Sequence, residues 1–303
     1  MDNAEIKKIT DLSQDRLLSS GTPTCAGCGA LSGIHQIYDI LGENTVFVNA
    51  AGCMTLLSIY PYTPFKGSWL YTAMACASAG AQGIRDALDI HLEKKRVKPG
   101  DNMQVVVLSG DGSASGMGLS STSAAIDRGL DFICICYDNE GYGNTGHQSS
   151  ASTPHGAETA TSKSETGFHG FKKDLFAIWT ANKPAYAATV TAAFPLDLAK
   201  KIEKASKIKG PSMIIMLAPC PPGWHFAPQD TIKIGKLAVN TGIWALKEYI
   251  DGEVIHTKIP KKRVPVEDYL KTQKRFSHFF EKGNQGMIKT FQNEVDRYWE
   301  TIT

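Results

Sequence analysis

The chain has 303 residues, 42% hydrophobic and 20% charged, with a formal net charge of +2. That is ordinary globular composition, enough for one large domain or a domain with an extension, and so small a charge supplies no overall field for nucleic acid or a membrane surface. No apolar run approaches a membrane span and the N-terminal MDNAEIKKITDLSQDRL has no apolar signal stretch, so the expected location is the cytoplasm.

Residues 1–24 read as a polar lead-in. A small-residue helix is expected after Cys28, through Ile34 to Ile40, then a short buried strand at Thr45–Val48 and an Ala/Leu-rich helix over Ala73–Glu93. The clearest unit follows. Gln104–Leu108 (QVVVL) is a β-branched strand ending at Gly110-Asp111-Gly112, a small-residue helix runs from about Gly116 to Asp127, and Phe132–Tyr137 (FICICY) is a second buried strand. Strand–turn–helix–strand order predicts an α/β fold with a mostly parallel central sheet flanked by helices. A Gly/Ser/Thr/Asn-rich stretch from Asp138 to about Gly170 is long enough to suggest a functional loop. Beyond it the pattern predicts a helix near Lys172–Ala181, a strand at Ala185–Val190, a helix at Leu196–Ile208 and a strand at Ser212–Leu217. Lys233–Tyr249, Val266–Phe280 and Met287–Thr301 all carry helical patterning. We therefore divide the chain into residues 1–234, bearing the chemistry, and a helical C-terminal arm, 235–303. The basic Lys261-Lys262-Arg263 in its linker reads as a solvated face or a partner contact.

Gly110-Asp111-Gly112-Ser113 sits where a strand opens into a helix. Glycines there let backbone N–H groups approach a phosphate, and the helix N-terminus favours an anion. Asp111 opposes an anion unless a cation lies between them, and Mg²⁺, held by few carboxylates plus phosphate oxygens, resolves the conflict. Asp138-Asn139-Glu140-Gly141 follows the next strand, so both strand ends share the C-terminal sheet edge where such folds bind ligands. Asp111, the Asn139 amide oxygen and the Gly141 carbonyl make a three-oxygen cradle. GDG alone is more often an ordinary turn; GDG followed by a strand ending in Asp-Asn resembles the thiamine-diphosphate enzymes.

Seven cysteines without a secretion signal argue against a disulfide framework. Thr24-Cys25-Ala26-Gly27-Cys28 is a C-x2-C turn, and Cys53 and Cys220 follow predicted strand ends beside Gly and Pro. These four thiols suit a [4Fe–4S] cluster or a four-cysteine zinc site, and the spacing does not separate the two. Cys76, Cys134 and Cys136 sit in helix and strand interiors and read as small hydrophobes.

The stretches CAGCGA, AAGC, SIYPYT, SGDGS, YDNEGYGNTGHQSSASTPHGA, APCPPGW and PVEDYLKTQKRF, spanning residues 25 to 276, resemble the β subunits of pyruvate:ferredoxin and related 2-oxoacid:ferredoxin oxidoreductases. The resemblance implies a thiamine-diphosphate-binding fold and a [4Fe–4S] cluster on Cys25, Cys28, Cys53 and Cys220. It implies Mg²⁺ on Asp111, Asn139 and Gly141, the diphosphate near Gly110, Gly112 and Ser113, and Asn144 beside the thiazolium as the catalytic-site asparagine, with Thr145, Gly146 and Gln148 in the same loop. The implied reaction is oxidative decarboxylation of a 2-oxoacid, pyruvate with coenzyme A by default, passing single electrons through the cluster to ferredoxin. The implied partners are other subunits, supplying further clusters and the thiamine-activating glutamate; Glu140 is a poor candidate for that glutamate. Met74-Ala75-Cys76, Gly116 and Gly143 depart from the pyruvate pattern by losing bulk and charge. That raises an alternative: oxalate, oxidised to CO₂ without coenzyme A. A non-oxidative thiamine-diphosphate decarboxylase and a zinc-stabilised interaction subunit are the more distant readings. Among the loop histidines (His147, His155, His169, His225), His147 and His225 are candidates for substrate contact, although a loop histidine is more often merely solvated or hydrogen-bonded.

Overall fold

The computed structural model describes residue 8 and residues 16–98, 103–162 and 167–302, so most of the expected polar lead-in lies outside the described residues. Its strands are β1 (Thr45–Ala50), β2 (Ser68–Thr72), β3 (Gln104–Gly110), β4 (Ile133–Asp138), β5 (Tyr186–Thr191), β6 (Ser212–Leu217), β7 (Leu246–Ile250) and β8 (Glu253–Lys258). They form one sheet in the order β2-β1-β3-β4-β6-β5-β7-β8. Strands β1 to β6 pair in parallel, whereas β7 runs antiparallel to β5 and β8 antiparallel to β7.

Side chains alternate across a strand, and here both faces are covered, which is why the central strands read as unbroken apolar runs. Val106, Leu108, Ile133, Ile135, Ile214 and Met216 face one layer, formed by α1 (Gly29–Leu41) and α5 (Pro195–Lys207) through Ile34, Ile37, Tyr38, Leu198 and Ile202. Val105, Val107, Cys134, Cys136, Met213 and Ile215 face the other. That layer holds α2 (Ala77–Glu93), α3 (Leu119–Asp127), α4 (Leu175–Ala181), α7 (Thr231–Thr241), α8 (Val266–Leu270) and α9 (Gln285–Glu300), while the short α6 (Pro221–Trp224) follows β6. Cys134 and Cys136 are fully buried in the core, as their apolar setting indicates.

The C-terminal part differs from the helical reading of Lys233–Tyr249. α7 stops at Thr241 because Gly242 takes a left-handed conformation (φ 85). Leu246–Ile250 then becomes a strand, joined to β8 through Asp251 (φ 53) and Gly252 (φ 86). Asp-Gly with positive φ at both positions is a favoured hairpin turn, a local signal that the helical pattern concealed. β2 was not expected either: it is a five-residue edge strand with a mostly exposed side-chain pattern, and its apolar run is only Trp69-Leu70-Tyr71. The segment Val266–Phe280 splits into α8 and a 3₁₀ turn over Lys274–Phe280.

α9 is bound into the core by Trp299, which is 1% exposed and donates from Nε1 to the Gly242 carbonyl at 2.9 Å. Replacing Trp299 by Ala is expected to destabilise the chain by about 3–5 kcal/mol, read as a lowered denaturation midpoint in urea. A change below about 1 kcal/mol would mean that α9 packs independently of the sheet.

Candidate active site

β1 leads to β2 on one side of the sheet and β3 to β4 on the other, so the crevice beyond the C-terminal ends of β1 and β3 is a topological switch point. A cleft of about 170 Å³ opens there. Gly110, Gly112, Ser113, Asn139, Gly141, Asn144 and Thr145 all line it, together with Cys53 and Tyr71; Asp111 is fully buried. Gln148 braces the Asn144–Thr145 turn, donating from Nε2 to the Thr145 carbonyl at 2.7 Å. The cleft is small beside ordinary ligand sites of roughly 300–1,000 Å³, as expected of one wall of a site shared with another chain.

The chain leaves β3 through a π-helical turn, Ser113–Met117, in which the Gly118 N–H donates to the Ser113 carbonyl at 2.7 Å. The helix expected from Gly116 therefore begins at Leu119. Single π turns recur at functional sites; this one holds the first N–H groups of the helical segment at the cleft. The Ser113 hydroxyl donates to the Met74 carbonyl at 2.6 Å.

The three predicted magnesium ligands converge. The Asn139 amide presents one terminal atom at 2.9 Å from Asp111 Oδ1 and 2.7 Å from the Gly141 carbonyl. With nitrogen there, the amide donates to both. With oxygen there, three oxygens face one another at about the edge length of an octahedron built on 2.0–2.1 Å Mg–O bonds, and Nδ2 turns toward Cys53 Sγ at 3.9 Å. Charge agrees with a cation. Asp111, Asp138 and Glu140 are buried carboxylates, while the cations bound among them are Lys172 and Arg275. Asp111 is the carboxylate with no cation within ion-pair distance among the described residues; it accepts from the Ser150 hydroxyl and the Asn139 backbone N–H (3.3 Å). Burial, with Asp138 nearby, pushes its carboxyl up to about 8. A buried carboxylate in that position favours a neutralising partner, and these residues fit Mg²⁺.

Behind the cleft lies a charge knot that sequence reasoning missed. Lys172 Nζ lies 2.8 Å from Asp138 Oδ2 and 2.8 Å from Glu140 Oε1, and Arg275 Nη2 donates to Glu140 Oε2 at 2.6 Å. Burial pushes Glu140 up, but Lys172 and Arg275 outweigh it and hold the carboxyl below its usual range. Arg275 also stacks 3.9 Å over the Trp224 ring, whose Nε1 donates to the Asn139 carbonyl at 2.8 Å. Glu140, at φ 62, is thereby spent on structure. Charged residues inside an otherwise small-residue loop were the available signal, but neither partner's distance in sequence could be bridged without the fold.

His147 is wedged between two loops: a Cβ on Gly141 would stand 2.7 Å from its Cε1, and one on Gly223 2.3 Å from its Nδ1. Burial pushes it down to about 4, so it is neutral at pH 7. It does not line the cleft, and neither does His225. Gly143 also has a packing role, since a Cβ there would lie 2.9 Å from Asn139 Nδ2 and 3.1 Å from Cys53 Sγ. A side chain there would collide with both, and Gly143 also lines the cleft.

Of the four predicted cluster cysteines, Cys53 lines this cleft, and Cys25, Cys28 and Cys220 are near enough to interact with it electrostatically. The Cys25–Cys28 turn closes with Cys28 N–H donating to the Cys25 carbonyl at 3.2 Å, and Cys28 Sγ caps α1 by accepting from the Leu31 N–H at 3.5 Å. Gly27 (φ 69) lies directly against the Pro228 carbonyl, and Thr231 donates to the Gly27 carbonyl at 2.6 Å, which fixes the turn on the segment after Cys220. Burial, then the negative charge each other thiolate would carry, pushes Cys53 up to about 12; burial does the same for Cys220, and Cys28 is also raised. Every pair in the quartet is close enough to repel in this way. Among the described residues no three His, Cys, Asp or Glu side chains converge on a single metal-ion position. Four thiols with no carboxylate or imidazole among them are the donor set of an iron–sulfur cluster or a zinc ion.

Residues 50–216 match the C-terminal TPP-binding domain of thiamine pyrophosphate enzymes. The pyruvate synthase subunit PorB of Methanothermobacter marburgensis is 42% identical over 272 residues, covering 88% of this chain and 92% of that one. The chain belongs to the β subunits of the 2-oxoacid:ferredoxin oxidoreductases. The ketoisovalerate oxidoreductase subunit VorB of Pyrococcus furiosus is 37% identical over 305 residues, covering 98% of this β subunit and 96% of its own length. Among solved structures, a 2-oxoglutarate:ferredoxin oxidoreductase from Magnetococcus marinus shares the fold, with a TM-score of 0.55 at 22% identity over 74% of this chain and 70% of that one. The β subunit is thus part of a multi-subunit enzyme with a thiamine-diphosphate-binding domain, and no described helix is long and apolar enough to cross a membrane.

Removing Arg275 leaves Glu140 with a single cation in a dry site. Arg275→Met is expected to cost about 3–5 kcal/mol, and adding Glu140→Gln should recover part of it in a double-mutant cycle on denaturation midpoints. Strict additivity of the two losses would mean the pair does not interact.

Proposed function

We propose that this β subunit carries the thiamine diphosphate, Mg²⁺ and one [4Fe–4S] cluster of a cytoplasmic 2-oxoacid:ferredoxin oxidoreductase, with pyruvate and coenzyme A as substrates and ferredoxin as acceptor. The observation that supports the reading is that the Asp111–Asn139–Gly141 oxygens and Cys53 border one cleft, with Cys25, Cys28 and Cys220 electrostatically coupled to Cys53.

Bound thiamine diphosphate would supply the carbanion that adds to the substrate and the electron sink for decarboxylation. Asp111, Asn139 and the Gly141 carbonyl would hold Mg²⁺ against the diphosphate. Gly112 and Ser113 open the helix whose N–H groups face that anion, and Asn144 and Thr145 border the reacting end of the cleft. A cluster on the quartet would accept electrons singly beside that end. Burial favours the protonated thiols of Cys28, Cys53 and Cys220, so metal binding there must displace protons. Residues 1–234 do this work; the arm, 235–303, braces it, since Arg275 holds Glu140 and thereby the magnesium loop.

The missing wall and the activating glutamate come from another subunit. Beside the cleft, edge strand β2 and the preceding loop expose Ile59 (51%), Tyr60 (96%), Tyr62 (78%) and Tyr71 (54%). An open edge with large apolar side chains is a surface for another chain.

The relatives act on pyruvate and on ketoisovalerate by name. Pyruvate is placed first because four pyruvate synthase relatives stand at 39–42% identity against 36–37% for the ketoisovalerate relatives, although a further pyruvate synthase subunit stands at 33%. Oxalate stays a weaker alternative: Gly143 is accounted for by Asn139 and Cys53, which leaves Gly116 and Met74-Ala75-Cys76 as its support. The anaerobically purified complex is expected to reduce a viologen dye with pyruvate plus coenzyme A. Activity with oxalate alone would reverse the assignment, and activity only with 3-methyl-2-oxobutanoate would move the enzyme to the branched-chain group.

Asp111→Ala is expected to weaken Mg²⁺-dependent thiamine diphosphate binding to the complex by about 2–5 kcal/mol, roughly 30- to 5,000-fold, by calorimetric titration. Cys53→Ser is expected to lower the iron content and the visible absorbance near 400 nm. Full iron content in that variant, or zinc in place of iron in the wild type, would sink the cluster assignment.

A further inference from the structure

A second cavity, of about 520 Å³, lies between α4, β7 and α9, and no residue lines both it and the cleft. Its volume falls in the range of small-molecule sites, which pair an aromatic wall with a few convergent polar groups. Three of its lining groups lack what burial demands. Among the described residues Lys247 Nζ has one hydrogen bond, to Tyr298 Oη at 3.2 Å, and otherwise sits over the Phe176 ring at 4.4 Å and the Tyr298 ring at 5.2 Å, with no described carboxylate in ion-pair reach. Burial lowers its pKa, offset only by the more distant Asp174. Trp244, 9% exposed, has a buried Nε1–H with no acceptor, and the buried Nδ1 of His155 has no partner. A buried donor without an acceptor and an ammonium without a counter-ion both carry a desolvation penalty.

The other charges around the cavity limit what would relieve it. Asp138 and Glu140 are consumed by Lys172, and Asp174 caps α4 by accepting from the Ala177 N–H at 2.9 Å. Asp174 and Glu294 still face the space, so a phosphate or dicarboxylate meets repulsion that a single carboxylate avoids.

We propose that this cavity is a second ligand site, which takes a small monocarboxylate with an apolar body. Its carboxylate pairs with Lys247 and the Trp244 N–H, and its body lies on the aromatic wall. Trp244 also stacks beneath Lys172, whose Nζ is 5.5 Å from the ring centroid, so occupancy is one side chain away from the charge knot behind the cleft. The inference does not depend on which oxoacid the enzyme oxidises.

The test is calorimetric titration of the assembled oxidoreductase, saturated with thiamine diphosphate, using octanoate and its uncharged counterpart octanamide. Octanoate is expected to bind once per β subunit and roughly ten- to a hundredfold more tightly than the amide. Lys247→Met should abolish that preference and Lys247→Arg should keep it. No saturable octanoate binding, or equal binding by wild type and Lys247→Met, overturns the proposal. If Lys247→Met does not assemble, Trp244→Phe decides: weaker octanoate with unchanged octanamide supports the site, and unchanged octanoate overturns it.

Discussion

Three carboxylates follow the central strands, and each must be neutralised away from water. Asp138 and Glu140 are answered by Lys172 and Arg275, which reach them from the loop before α4 and from the 3₁₀ turn after α8. Asp111 is left for a cation. A buried ion pair of this kind is a poor source of net stability, because desolvation offsets most of the attraction; its yield is specificity. The loop Asn139–Gly141 can adopt the left-handed turn at Glu140 because two cations and the Trp224 N–H grip it from behind. The cradle facing the cleft follows from that grip.

The same contacts join chemistry that the chain keeps apart. Trp224 comes four residues after Cys220, and it touches both the Asn139 carbonyl and Arg275. His147 fills the gap between Gly141 and Gly223. The loop after Cys220 and the Asn139–Gly141 loop are therefore packed as one body. The C-terminal arm supplies the arginine at its centre, so it is a brace for the site.

What the described chain lacks is a closed site. The cleft is shallow, Glu140 is engaged elsewhere, and the β2 edge beside it carries exposed tyrosines. These features suit a protein whose catalytic unit is completed by a second subunit, in agreement with relatives that are themselves subunits.

Strands β3, β4 and β6 were legible because burial on both faces of a parallel sheet demands continuous apolar runs, and QVVVL, FICICY and SMIIML supply them. The placement of Asp111, Asn139 and Cys53 at the cleft was legible because each follows the C-terminal end of a parallel strand, where such a sheet gathers its loops. β2 and β8 were not: edge strands bury little, and their apolar runs, Trp69-Leu70-Tyr71 and Val254-Ile255, are too short to mark a strand. The hairpin at Asp251-Gly252 was hidden by apolar spacing that a helix also satisfies. Lys172 and Arg275 looked like surface charges, since a cation's partner is decided by which distant segment folds over it. The sequence by itself determined the central parallel strands and the cofactor family, because each is written in local periodicity or spacing. Only the tertiary structure decided which carboxylates are already paired, that a side chain at Gly143 would strike its neighbours and that a second cavity exists, because burial and charge balance depend on contacts between residues far apart in the chain.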